Sequence, residues 1–182
     1  MSIRILGGSH KGLEIQVPHT NVVRPTSVML RRRLFDSRQD LSGYHFIDLC
    51  AGSGAMGLEA LSRGADSADF YESNSKVFAI LKKNIQRFLI KENKPIAYTK
   101  GSFTKAFTKQ NHASCIYFFD PPYEKLELYE EFLLKLEGLK GEIWIEGDRQ
   151  KNYSQEDFEA KFGRVSKFFT QGTSYIAILD RT

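Results

Sequence analysis

Apolar positions fall in two rhythms along this chain. Between residues 74 and 91, Val77, Ile80, Leu81, Ile85, Phe88 and Leu89 lie on one helical stripe, with lysines on the other side. Shorter apolar runs at 44–49, 67–72, 95–100, 114–120 and 141–146 read as strands. Helical patterns over 55–63, 74–91, 102–108 and 125–137 fall between them. Strands that alternate with helices predict a mostly parallel sheet covered on both faces. After a further helix around 155–162, Val165 to Thr170 and Ser174 to Leu179 flank Gln171-Gly172-Thr173. That is a hairpin, so one terminal strand runs antiparallel to the rest. The expectation is an α/β, seven-stranded, doubly wound sheet.

The first forty residues read differently. Ile3, Ile5 and Leu6 precede Gly7-Gly8, and Leu13, Ile15 and Val17 then alternate with polar residues, which predicts an extended hairpin over 1–22. Its turn carries His10 and Lys11. Arg24-Pro25-Thr26 opens a helix, with Thr26 as the N-cap, that runs to about Phe35. Arg31, Arg32 and Arg33 follow one another on it; at about 100° per residue the three cannot share one face. With Arg4, Lys11, Arg24 and Arg38 they form a concentrated positive set with few acids, an electrostatic footprint for nucleic acid. Residues 1–38 are therefore expected to form a binding appendage, separable from the glycine loop described below, and 39–182 the main domain.

Size and composition narrow the classes. The 182 residues suit one α/β domain, and 41% hydrophobic residues are enough for a core. No apolar run approaches membrane-spanning length, and no apolar leader opens the chain. Cys50 and Cys115 fall in apolar runs and read as buried, reduced thiols, which fits a cytoplasmic protein. Two cysteines and four scattered histidines give no metal-ligand spacing. A net charge of +4 mildly favours an anionic partner.

Three stretches carry the chemistry. The run Phe46 to Leu49 ends in Cys50-Ala51-Gly52-Ser53-Gly54, and a helical pattern follows at once. Strand, glycine loop and helix place a nucleotide-like ligand against bare backbone at a helix start. Gly52 and Gly54 permit the sharp turn and the close approach. Gly52 to Gly57 also matches a dinucleotide pattern, but Asp48 at the strand end would repel a pyrophosphate. A positively charged cofactor would welcome it, and S-adenosylmethionine carries a sulfonium and an ammonium group and no phosphate. Glu72 ends the second strand, about where a carboxylate accepts both hydroxyls of an adenosine ribose. Finally, the strand Ile116 to Phe119 delivers Asp120-Pro121-Pro122-Tyr123. Two prolines remove two backbone donors and leave a rigid, acceptor-rich corner. Such a corner suits a planar exocyclic amine, with Asp120 and the Pro121 carbonyl accepting its N–H bonds and Tyr123 stacking on the base.

Asp48 to Gly54 resembles the cofactor loop of class I S-adenosylmethionine-dependent methyltransferases, and Asp120 to Tyr123 resembles the motif of those that methylate exocyclic amines. Arg4-Ile5-Leu6-Gly7-Gly8, Lys11-Gly12, Arg24-Pro25-Thr26, Leu34-Phe35 and Gly57 to Ala65 are similar to the bacterial RsmD family, the 16S rRNA guanine-N2 methyltransferases. The resemblance covers nearly the whole chain. It implies a Rossmann-like class I methyltransferase fold with an N-terminal hairpin and helix, and a monomer acting on 16S rRNA or a small-subunit assembly intermediate. It implies Asp48, Ala51, Gly52, Ser53, Gly54, Glu72 and Ser102 as cofactor contacts; the positive set of the first forty residues adds Lys11, Arg24, Arg31 and Arg32 as RNA contacts. The chain departs from the family at Val28 and Met29, at Arg32 where a glutamate is usual, and at Ser102-Phe103 where Asp-Ala is usual. Two other readings of the same residues are an adenine-N6 DNA methyltransferase and a non-catalytic RNA-binding protein.

Overall fold

A computed structural model describes residues 1–18, 27–107, 113–136 and 138–181. A two-stranded antiparallel sheet pairs β1 (Ser2–Arg4) with β2 (Glu14–Gln16). Helix α1 (Val28–Asp36) follows. The main sheet is built from β3 (His45–Asp48), β4 (Ser67–Glu72), β5 (Ile96–Lys100), β6 (Cys115–Phe119), β7 (Gly141–Asp148), β8 (Lys167–Gln171) and β9 (Ser174–Arg181). Helices α2 (Ala55–Ser62), α3 (Ser75–Leu89), α4 (Phe103–Ala106), α5 (Leu126–Leu136) and α6 (Gln155–Phe162) connect them. The spatial order is β5-β4-β3-β6-β7-β9-β8. The pairs among β3 to β7 are parallel, and β9 is antiparallel to both its neighbours. The seven strands and the single reversed one are as the hydrophobic pattern predicts.

Period-two alternation divides the core. Phe46, Phe70, Phe118 and Trp144 point to the face covered by the hairpin, α1, α2 and α3. Ile47, Tyr71, Tyr117, Phe119, Ile143 and Ile145, one position along, point to the face that carries α4, α5 and α6. Ends differ from the sequence pattern by one or two residues in most elements. The largest difference is α4, a single turn whose N-cap is Ser102; residues 108–112 lie outside the described chain. Ser27 caps α1, accepting from Leu30 N, in place of the expected Thr26, which also lies outside the described residues.

The hairpin is fastened, not separable. The Glu59 carboxylate on α2, fully buried, accepts the N–H groups of Leu6 (2.7 Å) and Gly7 (2.9 Å) and the Arg63 Nε–H (2.8 Å). Buried Asn84 on α3 accepts from Gln16 N and donates to Gln16 O, and the same amide donates to Ser53 O in the glycine loop at 2.8 Å. The hairpin and the glycine loop are therefore linked through α3. One asparagine side chain ties β2 to the loop, and Ile5 and Ile15 belong to the sheet's own core.

Candidate active site

Strands β3 and β6 lie side by side, with Asp48 opposite Phe118, and β4 leaves β3 on the other side. The connections reverse at this point, which is where open α/β sheets bind ligands outside their strand ends. A cavity of about 450 Å³ opens there. It is lined by Asp48, Ala51, Gly52, Ser53, Glu72 and Ser102 on one side, and by Asp120, Pro121, Pro122 and Tyr123 on the other. The β3 end, the β4 end and the β6 corner thus converge, as their order in the sequence implied. Ile3, Val17 and Pro18 of the hairpin, and Lys125 and Lys151, also line it. Gly54 is the N-cap of α2 at φ +82°, left-handed backbone that a side chain would strain.

The carboxyl groups are not equivalent. Asp48 is 1% exposed, and neither of its side-chain oxygens has a hydrogen-bond partner. Burial pushes its pKa up to about 7, aided by the Glu72 charge. The N–H groups of Gly57 and Cys50 face it without reaching hydrogen-bond geometry and pull the other way. Glu72 is better held: one oxygen accepts from Gly52 N (2.9 Å) and the other from Asn74 N (2.6 Å). Burial still raises its pKa, against those two bonds and the Ser73 N–H. Each oxygen keeps a second acceptor lone pair. The Asp120 pKa is raised well above the usual carboxylate range, by desolvation first and then by Glu146 and Asp48. The Cys50 thiol is pushed up by burial and by the same acids, so it stays a neutral, unreactive packing group.

Two side chains behave differently from their sequence reading. Tyr123 does not present a free hydroxyl: it donates to Glu146 Oε1 at 2.8 Å. Glu146, on β7 and 1% exposed, was missed by the sequence reading, although an acid inside the apolar run 141–146 is itself a signal. Ser102 lines the cavity, but its hydroxyl caps α4 at Thr104 N and meets Thr104 Oγ1 at 2.9 Å.

The expected polyanion contacts separate. Lys11 and Arg32 are exposed. Arg31 is not on that surface: it is 1% exposed, and its Nη2 donates to Arg4 O at 2.7 Å beneath the hairpin. Helical spacing had required one of the three arginines to turn away from the others, and packing turns Arg31 inward. Arg24 lies outside the described residues. Among the described residues no cluster of side chains has the makings of a metal site, and no helix is long and apolar enough to cross a membrane.

A family model described as conserved hypothetical protein 95 matches residues 3–167. Ribosomal RNA small subunit methyltransferase D of Buchnera aphidicola subsp. Baizongia pistaciae is 31% identical over 157 residues, 83% of this chain and 79% of the relative. The protein of the same name from Escherichia coli K12 is 34% identical, over 74% of this chain and 67% of the relative. A solved structure, the putative methyltransferase yhhF from Escherichia coli, matches with a TM-score of 0.79 and 25% identity, covering 100% of this chain and 98% of that one.

Proposed function

The chain belongs to the RsmD family of methyltransferases, and from that premise we propose that it transfers a methyl group from S-adenosylmethionine to the exocyclic N2 of a guanine in small-subunit (16S) rRNA. Its fold is the Rossmann-like class I methyltransferase fold. The observation that carries the proposal is the unpartnered, buried Asp48 carboxyl on the same cavity as the Asp120–Tyr123 corner. A buried acid without a donor is costly unless a ligand completes it. A cation does so, and a phosphate does not.

The donor set fits S-adenosylmethionine, which supplies an electrophilic methyl group on a sulfonium. Asp48 offers the counter-charge, and the backbone of Ala51, Gly52, Ser53 and Gly54 forms the bed. Glu72 has acceptor capacity left for the ribose hydroxyls, and Ser102 stands beside the adenine end. On the other side, Asp120 and the Pro121 carbonyl accept the two N–H bonds of the amine, and Pro121 and Pro122 bring no competing donor.

The guanine amine is a poor nucleophile because its lone pair is delocalised into the ring. The protein's contribution is to hold the nitrogen in line and to place acceptors where positive charge develops on it. Asp120 does this most strongly when ionised, since its full negative charge then faces the developing positive charge. Its raised pKa therefore shifts the acid limb of the reaction upward, while the bound cation and the amine donors favour its charged form. Lys11, Arg32 and Arg24 supply the phosphate contacts of an rRNA or an assembly intermediate met by a monomer in the cytoplasm.

The test is a labelled-methyl assay with rRNA and with DNA, followed by nucleoside analysis. Label in N2-methylguanosine from rRNA is expected. Label in N6-methyladenine from DNA would assign the site to the adenine chemistry, and no label in either would make the chain a binding protein.

A further inference from the structure

The Tyr123 hydroxyl is bonded inside the protein, onto the buried Glu146 of β7. Glu146 is paired across the sheet with Ile176, and its backbone carbonyl accepts the Tyr129 hydroxyl at 3.0 Å. The Tyr129 oxygen in turn accepts from Asn152 Nδ2 at 2.9 Å, and the Asn152 Oδ1 accepts from Asp148 N at 2.9 Å. This chain of bonds runs from the loop after β7 to the corner after β6, through the buried Glu146 and Tyr129 side chains, with Tyr123 and Asn152 half-buried at its two ends. A ring on a two-bond arm, bonded only at its face, would swing. Tethered at its far end to a group fixed in a strand, it becomes a wall of set angle.

We infer that Glu146 is a positioning residue for the base, acting through Tyr123: the bond from the Tyr123 hydroxyl to its carboxylate fixes the ring on which the target base stacks. This rests on the base-methylation reading above. It makes the hydroxyl a structural necessity in this chain and not a reader of the base, so the site recognises a planar face and an amine without a hydroxyl contact to the ring edge. It also means that Tyr123→Phe, which keeps the stacking surface, is not silent. The substitution removes the donor that Glu146 holds and frees the ring.

The experiment is a double-mutant cycle on Tyr123→Phe and Glu146→Ala, with Glu146→Gln as the conservative variant, whose amide oxygen still accepts from the tyrosine. The readings are the RNA KM and kcat at saturating S-adenosylmethionine, with calorimetric cofactor affinity and melting temperature as controls. Each single variant is expected to raise the RNA KM about tenfold, the worth of one hydrogen bond to a charged acceptor. The double variant should cost no more than the worse single one, Glu146→Gln should recover most of the loss, and cofactor affinity should hold within about twofold. A purely structural role would instead lower melting temperature, cofactor affinity and kcat together. Additive losses, or unchanged KM, would overturn the inference.

A second reading separates it from the substrate assignment. In protein carrying 3-fluorotyrosine, the Tyr123 fluorine resonance, assigned by its absence in Tyr123→Phe, should be single and sharp in the parent and broadened or split in Glu146→Ala. If the parent fails to methylate rRNA but the resonance responds in this way, the substrate reading falls and the tether stands. If the resonance is the same in both proteins, the tether falls whatever the substrate.

Discussion

The junction between the hairpin and α2 and the floor of the strand-end cavity each bury a carboxyl group, and they treat it in opposite ways. Glu59 is sealed from water but accepts two backbone N–H groups and the Arg63 guanidinium. Asp48 is sealed almost as completely and accepts no hydrogen bond. The first arrangement is complete within the chain, so its energy goes into architecture: it locks Leu6 and Gly7 onto α2. The second is incomplete within the chain, and the fold bears the desolvation cost. Burial alone does not distinguish a structural acid from a functional one; the count of hydrogen bonds it accepts does. Glu72 lies between these extremes, held by the N–H of Gly52 in the glycine loop and that of Asn74 at the start of α3, with acceptor capacity left over.

Removing each acid tests this division. Glu59→Ala should have the largest effect, a loss of about 3–5 kcal/mol in unfolding free energy, because it strands two backbone donors and takes from Arg63 its Nε partner, leaving it Phe35 O and Asp36. Chemical denaturation checks it, and a loss below about 1 kcal/mol would show that the clamp is incidental. Asp120→Ala should reduce single-turnover methyl transfer by about 10²–10³, with thermal stability undiminished and cofactor affinity little changed. Wild-type turnover would make the corner structural. Glu72→Ala should weaken S-adenosylmethionine by about 1.5–3 kcal/mol in titration calorimetry. Unlike Asp48 it should also cost stability, since Gly52 N and Asn74 N lose their acceptor. The smallest effect belongs to the surface. Arg32→Ala should flatten the log–log salt dependence of RNA binding by about 0.7–0.9, whereas Arg31→Ala should leave that slope unchanged and lower the melting temperature. Equal changes in slope would mean that Arg31 reaches the RNA.

The sheet, its reversed strand and the convergence of three strand ends were legible in the sequence, because period two and the βα alternation are local signals. Asp48, Glu72 and Asp120 were legible because each ends an apolar run. The partners of those acids were not. That Glu146 would meet the Tyr123 hydroxyl depends on β7 lying beside β6, and nothing in the spacing of 146 and 123 announces it. The roles of Glu59 and Asn84 were hidden for the same reason: their partners are backbone groups of a hairpin more than fifty residues away. Helical geometry showed that the three consecutive arginines must diverge, but only packing under the hairpin decides that Arg31 is the one turned inward.

The central claim is that Asp48 accepts no hydrogen bond within the chain and is completed by a cationic ligand, and Asp48→Asn at pH 8, melted with and without S-adenosylmethionine, tests it in one experiment. With a folded pKa of about 7 against an ordinary 3.8, the folded wild-type protein holds a proton that the unfolded chain has released. Between those two values its stability therefore falls as pH rises from about 4 to about 7, by roughly 4 kcal/mol. Asparagine removes that loss, so the unliganded variant should melt several degrees above wild type at pH 8. Without the counter-charge, the rise in melting temperature on adding S-adenosylmethionine should be much smaller than in wild type. A variant that melts below wild type and gains as much from the ligand would contradict the account.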